Sequence, residues 1–363
     1  MSTTEGSTDS TDIPEGVDSA EARLRTEDSP DGPTDLPKRS WGSIFKRTVG
    51  KFSAAGATDL AAALTYYSVM SMFPALLALI SLLGVFGQGK GTTDALLNVL
   101  IEMGATEEQL KPISDYITQM QGTTGAGVAL FIGLAGALWA ASNYVNAFSR
   151  AMNTIYGVKE GRPVWKLRPW MLLITLVVLL LVVLVALSLV FTGGFAQSVG
   201  SVIGLGDTAV QVWNWAKWPV MFLIVVLIVA LLYWGTPNVR PPKFRWLSPG
   251  AVLAIVVWGV ATAGFGFYVA NFGNYNATYG ALAGVIIMLL WLWLTNVALL
   301  FGAVFDSEMV REGQLQSGIP AEDEIQLPLR DASGAEKKAD KASKQLAENR
   351  RIRLTAGRRK RNG

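Results

Sequence analysis

The chain contains no cysteine and no histidine. Lacking cysteine, it can hold no disulfide, thiolate nucleophile, iron–sulfur cluster or Cys-ligated zinc. Lacking histidine, it is without the side chain that most often serves as general base and transition-metal ligand. Charge is scarce as well: 16% of the 363 residues, against roughly 25% in an average soluble domain. Hydrolytic or redox chemistry would have to rest on carboxylates, Lys, Tyr or Ser, so the chain reads as a non-enzyme with no cofactor or metal site. No Gly-x-x-x-x-Gly-Lys-Ser/Thr motif is present to cradle a nucleotide phosphate. Any transport would draw on an ion gradient or a partner.

What fills the space is apolar sequence, 51% of the chain. From Trp246 to Phe305 there is no Asp, Glu, Lys or Arg. One membrane crossing takes about 20 residues, so this stretch suits two crossings joined by the polar, uncharged turn from Asn271 to Gly280. Six spans follow on the same criterion: Leu60–Phe86, Gly127–Phe148, Trp170–Thr192, Trp218–Trp234, Ser248–Ala270 and Ala281–Phe305. The runs are continuously apolar rather than alternating, which argues for helices over a β-barrel. The fold class is therefore an all-α polytopic membrane protein with a short helical outer loop, Gly87 to Ala126, after the first span.

Orientation follows from the basic residues. All of the 31 Lys and Arg except Lys90, Lys111 and Lys217 fall on one side of the six-span arrangement. That places both termini in the cytoplasm and the protein in the cytoplasmic membrane. Three regions result: a disordered acidic tail (1–40), a membrane domain (41–312) and a disordered basic tail (313–363). Met1 to Pro37 carries ten acids against Arg23 and Arg25. The basic tail ends in Arg350-Arg-Ile-Arg353 and Arg358-Arg-Lys-Arg361, a pattern suited to an anionic lipid surface. No aromatic residues interleave those cations, so specific nucleic-acid binding is not expected.

Polar groups inside spans need partners and carry the functional information. Asn143, Asn146, Arg150 and Asn153 recur at spacings of three and four, on one helical face. They form either inter-helix hydrogen bonds with a snorkelling Arg, or the wall of a polar cavity open to the cytoplasm. In the first span Pro74 predicts a kink near Phe73, with Ser71 placed to bond a freed carbonyl. Asp306 and Glu308 end the sixth span, where acids oppose the helix dipole and call for a cation; Arg150 is the expected partner. Ala129, Gly133, Ala137 and Ala141 make a small-residue ridge, and Gly259 with Ala263 a weaker one.

Three stretches carry a family resemblance. They are Ala61-Ala-Ala-Leu-Thr-Tyr-Tyr-Ser-Val-Met-Ser-Met-Phe-Pro74, Asn146-Ala-Phe-Ser-Arg-Ala-Met-Asn-Thr-Ile-Tyr-Gly157, and Tyr268-Val-Ala-Asn-Phe-Gly-Asn-Tyr-Asn-Ala-Thr-Tyr-Gly280 with the sixth span and Gly302 to Arg311. On these the chain resembles the YihY/BrkB inner-membrane proteins over about residues 40 to 312. The family was once labelled ribonuclease BN. A metal-dependent nuclease needs clustered His and acidic ligands, which this sequence does not offer. The resemblance implies a membrane protein linked to envelope integrity or virulence, with movement of lipids or other amphiphiles among the proposed activities. A cavity among the first, second, fifth and sixth spans would be lined by Tyr66, Asn143, Asn146, Arg150 and Asn296. The turn residues Asn271, Asn274, Tyr275 and Tyr279 would pair with one another or guard its outer mouth. The rival reading is a non-transporting scaffold for envelope machinery, with a homo-oligomer or an envelope protein as partner.

Overall fold

A computed structural model describes residues 38–86, 111, 126–190, 207–240 and 248–361. Eight helices make up the fold among the described residues: α1 Lys38–Ala54, α2 Ala57–Phe86, α3 Ala126–Tyr156, α4 Val164–Val190, α5 Asp207–Gly235, α6 Pro249–Asn271, α7 Leu282–Gln316 and α8 Ser333–Arg361. The only β pairing among those residues is an isolated antiparallel bridge, Val239 to Leu329. Among the described residues, four helices are long and apolar enough to cross a membrane, over Val164–Val185, Gln211–Gly235, Pro249–Asn271 and Ala283–Gln316. The first two expected spans fall within α2 and α3. Residues 87–110 and 112–125, expected from the sequence to form the outer loop, and Asn274, Tyr275 and Tyr279 lie outside the described residues.

The core sits toward one end of the bundle. There Leu64 of α2, Phe148, Met152 and Ile155 of α3, Met171 of α4, Tyr233 of α5 and Leu300 and Val304 of α7 are buried together. Much of the remaining helix surface stays apolar and exposed, as at Phe131, Leu180, Val260 and Phe267, which is the surface a lipid-facing helix presents. Helix ends are set locally. Gly157 (φ 70°) and Gly318 (φ 72°) take the left-handed conformation that closes α3 and α7. In each case the following amide reaches back to the last turn, Val158 N to Asn153 O and Ile319 N to Gln314 O, both at 2.9 Å.

Helices α6 and α7 approach each other closely at two glycines. A methyl group at Gly302 would meet the Gly250 carbonyl, Ala254 Cβ and the Tyr233 hydroxyl; one at Gly250 would meet the Gly302 carbonyl and the Asp306 carboxylate. Gly259, which the sequence suggests as a packing site, faces open space instead. Proline does not break α2, which runs through Pro74. Ser71 Oγ donates to Ser68 O at 2.7 Å, two residues before the Met70 carbonyl that Pro74 leaves free, so the expected bond to a freed carbonyl is not made.

Beyond residue 313 the structure departs from the expected solvated tail. α7 continues to Gln316, and residues 319–334 fold back as a strap against the ends of α3, α4 and α5. Ile319, Ala321 and Ile325 are buried, and backbone bonds join Arg330 N to Asn238 O and Gly334 N to Gly161 O. Composition does not reveal this because the strap is held mainly through backbone groups and two charged side chains. From Ser333 the chain rises as α8, whose surface is exposed nearly throughout.

Candidate functional site at the charged end of the bundle

Three polar clusters gather where α1, the end of α3, the start of α4, the end of α5, the start of α6 and the end of α7 meet. In the first, Glu308 is only 2% exposed and receives Arg47 Nε at 3.1 Å, Lys51 Nζ at 3.0 Å and Arg311 Nε at 3.2 Å. Glu312 extends the cluster through Arg47 and Gln316. Burial lowers the pKa of the Lys51 ammonium, although Glu308 pulls it upward. The cation expected to offset these acids thus comes from α1 and from α7 itself. Arg150 is not used here.

Asp306 is met differently. Its Oδ1 accepts the Gly250 amide at 2.6 Å and its Oδ2 accepts the Ser248 hydroxyl, while Ser248 Oγ accepts the Ala251 amide at 2.9 Å. Ser248 is an N-cap followed by Pro at the first helical position, and Asp306 supplies the carboxylate that the positive end of α6 attracts. An acid at the end of one helix is answered by the start of another.

The second cluster ties three connections together. Arg162 is buried and binds Glu160 through Nε (2.8 Å) and Nη2 (2.7 Å), with Nη2 also reaching Ser149 Oγ and Thr236 O. Its Nη1 is a buried side-chain nitrogen without a partner among the described residues. Asn153 donates to Glu160 at 2.9 Å and accepts the Asn238 amide at 2.7 Å. Asn238 Nδ2 holds the carbonyls of Lys159 and Asp331. Arg330 lies over Trp234 at 4.8 Å and donates to the carbonyls of Trp234 and Val239, capping α5. Burial, with Arg162 and Arg240 nearby, brings its guanidinium down to about 10.

Acid should loosen this cluster. Hydrogen bonds from Ser333 and Lys166 hold Asp331 at about 2, against the ordinary 3.8. Burial works to raise Glu160, but its bonds to Arg162 and Asn153 outweigh that, so it too is lowered. Both carboxyls bind protons more weakly folded than unfolded. Their stabilisation is therefore complete above the ordinary carboxylate range and is lost as pH falls toward 2. A nitroxide on Ala335→Cys should be immobilised at neutral pH and freed across that acidic interval, and Asp331→Asn should be loose at every pH.

The third cluster lies along α3. Arg150 is exposed, with its guanidinium over Tyr67 at 5.6 Å and Nη2 3.4 Å from the Tyr67 hydroxyl; Tyr66, 59% exposed, meets Tyr67 edge-on. Arg168 of α4 lies over Trp139 at 5.2 Å and donates to Asn143 Oδ1 at 3.2 Å. Neither arginine has a carboxylate within ion-pair distance among the described residues.

The remaining sequence candidates do not join it. Asn146 is buried and donates to Ser142 O of its own helix at 2.7 Å. Asn296 joins α2, α3 and α7, donating to Thr65 Oγ1 (3.2 Å) and accepting from the Tyr144 hydroxyl (2.9 Å). Asn271 donates to Phe267 O. Trp293 Nε1 reaches Thr58 O at 3.3 Å, and Trp258 Nε1 reaches Thr295, contacts between helices. Glu160, Arg162, Arg330 and Asp331 are the residues that sequence reasoning missed. The pairing of Glu160 and Arg162 in a short connection, two residues apart, is the signal that was available.

An all-helical bundle with several apolar helices, exposed apolar flanks and polar clusters gathered at one end defines a multi-pass membrane protein. The model of the family described as virulence factor BrkB matches residues 48–325, and the chain belongs to that family. Among relatives, it is 27% identical to the ribonuclease-like protein YfkH of Bacillus subtilis over 77% of this chain and 99% of that one. It is 32% identical to a UPF0761 membrane protein of Alkalilimnicola ehrlichii over 68% of this chain and 53% of the relative. A UPF0761 membrane protein of Haemophilus influenzae is 25% identical over 76% and 97%. No solved structure matches the chain. Among the described residues no three acids are grouped to hold a metal ion.

Proposed function

We propose that the protein is a six-span protein of the cytoplasmic membrane, with both termini in the cytoplasm, that moves an anionic lipid or a similar anionic amphiphile. One observation carries the reading. Arg150 and Arg168 stand at the charged end of α3 and α4, each on an aromatic face and each without a carboxylate among the described residues. A cation at that depth is costly unless it snorkels or meets an anion, and a lipid phosphate supplies one. Asn143 and Tyr66 add a hydrogen-bonding and an amphipathic group beside them. Glu308, Asp306 and Glu160 at this end are already committed to other partners and do not compete for the two guanidiniums. Basic residues of α8 hold an anionic leaflet close by.

The rival scaffold reading draws on α8, a long charged helix exposed to solvent along most of its described length. Reconstitution separates the two. In proteoliposomes, dithionite reduction of fluorescent phosphatidylglycerol should reveal protein-dependent exchange between leaflets. Arg150→Ala with Arg168→Ala should slow it on the order of tenfold or more, the loss of one or two charge-assisted hydrogen bonds. Exchange no faster than in empty vesicles would sink the transport reading and leave the scaffold.

A further inference from the structure

Helix α1 has three faces. Ile44 and Thr48 are fully buried, Ile44 against Phe305 and Met309 of α7 and Thr48 bonding back to Ile44 O. Arg47 and Lys51, beside that face, engage Glu308 and Glu312. A second face is apolar yet exposed: Trp41, Phe45 and Val49, the last two at 51%. At about 100° per residue these three, with Phe52, form one stripe. The third face, further round, carries Gly42, Lys46 and Gly50, all exposed. A soluble helix has no use for the second face.

The contacts of that stripe fix its level. Trp41 packs on Phe305 (6.2 Å), while Phe45 and Phe52 pack on Phe301 (6.1 and 5.7 Å). Phe301 and Phe305 are the last large apolar residues before α7 turns polar at Asp306, Ser307 and Glu308. So the apolar stripe of α1 sits at the depth where the apolar part of α7 ends, and the charges of α1 sit where the charges of α7 begin. Lys46 has no carboxylate within ion-pair distance among the described residues, and Lys38 and Arg39 open the helix.

We propose that α1 is an in-plane anchor that inserts Trp41, Phe45 and Val49 into the acyl boundary of an anionic leaflet and lays Lys46 among its headgroups. A helix with a basic polar face and an aromatic apolar face lies in the interface in this way. The inference rests on the membrane reading alone and stands whether or not lipid is moved.

The lack of cysteine makes the test clean, since any introduced thiol is unique. Full-length protein with Phe45→Cys, Val49→Cys or Gly50→Cys is labelled with a nitroxide and reconstituted in phosphatidylcholine vesicles with and without phosphatidylglycerol. Gly50 tolerates a side chain, because a Cβ there meets nothing within 4 Å. Labels at 45 and 49 should relax with oxygen and be shielded from an aqueous nickel complex; the label at 50 should show the reverse. Phosphatidylglycerol should slow the motion of the labels at 45 and 49. Nickel access at 45 and 49 places the stripe in water and overturns the proposal. Shielding from both reagents means protein cover, a second copy included, and overturns it too. Indifference to phosphatidylglycerol removes the anionic part. Unchanged thermal unfolding of each variant shows that it is folded.

Discussion

Glu308→Ala should cost about 3 kcal/mol of stability, the lower end of what removing one partner of a buried ion pair costs. The carboxylate is almost wholly buried, and its loss leaves Arg47, Lys51 and Arg311 facing one another with only Glu312 to share. The lower end applies because Arg47 is 34% exposed and can turn to water. The pattern of rescue separates charge from packing. Glu308→Gln keeps the shape and should recover little. Glu308→Leu combined with Arg47→Met and Lys51→Met should recover much of the loss, because the buried carboxylate and both α1 cations are then exchanged for apolar contact, while Arg311 keeps the carbonyls of Ala321 and Glu322. Thermal unfolding in detergent measures all three. Detachment of α1 should accompany the loss, since Glu308 and Glu312 provide its ion pairs to α7. A single variant that leaves the unfolding temperature unchanged would show that the cluster is not held as described.

Gly302→Val should be of similar size but different origin. Three neighbours of the added side chain, the Gly250 carbonyl, Ala254 Cβ and the Tyr233 hydroxyl, belong to packed helices that can give way only by moving apart. Overpacking of this kind costs about 1–3 kcal/mol, occasionally more. Two further contacts go with it. Tyr233 loses its bond to Leu299 O, and the Asp306 carboxylate is drawn away from the start of α6. Gly259→Val in the same helix pair meets open space and should be close to neutral in unfolding temperature. Equal losses from the two substitutions would contradict the close crossing.

The apolar helices were legible because lipid imposes a length and a composition on them, and both are written residue by residue. The polar face of α3 was legible for the same reason: periodicity places Asn143, Asn146, Arg150 and Asn153 together on one helix. Their partners were not. Nothing in the spacing says that Asn153 meets Asn238, or that Asn296 meets Tyr144, because those pairings depend on how helices cross. Asp306 was read as needing a cation because it opposes the dipole of its own helix. The dipole of α6 answers it instead, and the Ser248-Pro-Gly cap was visible, but its orientation toward Asp306 was not. Gly250 and Gly302 escaped notice for a related reason. Each is a single small residue rather than a repeat, and they matter only because they face each other. Helix α1 was absorbed into the segment before the first span, although Trp41, Phe45, Thr48, Val49 and Phe52 already follow a helical period.

The strap across the ends of α3 and α5 bears on the order in which the molecule is made. Asn153, Glu160, Arg162 and Asn238 leave the ribosome before any part of α7, whereas Arg330 and Asp331 follow the whole of it. Until the chain beyond α7 has been made, Asn238 has no Asp331 carbonyl to hold and the end of α5 has no Arg330 over it. The strap therefore acts as a closing knot tied after insertion. A nascent chain stalled at Gln316 should leave the 236–240 segment open to a protease that the finished protein resists.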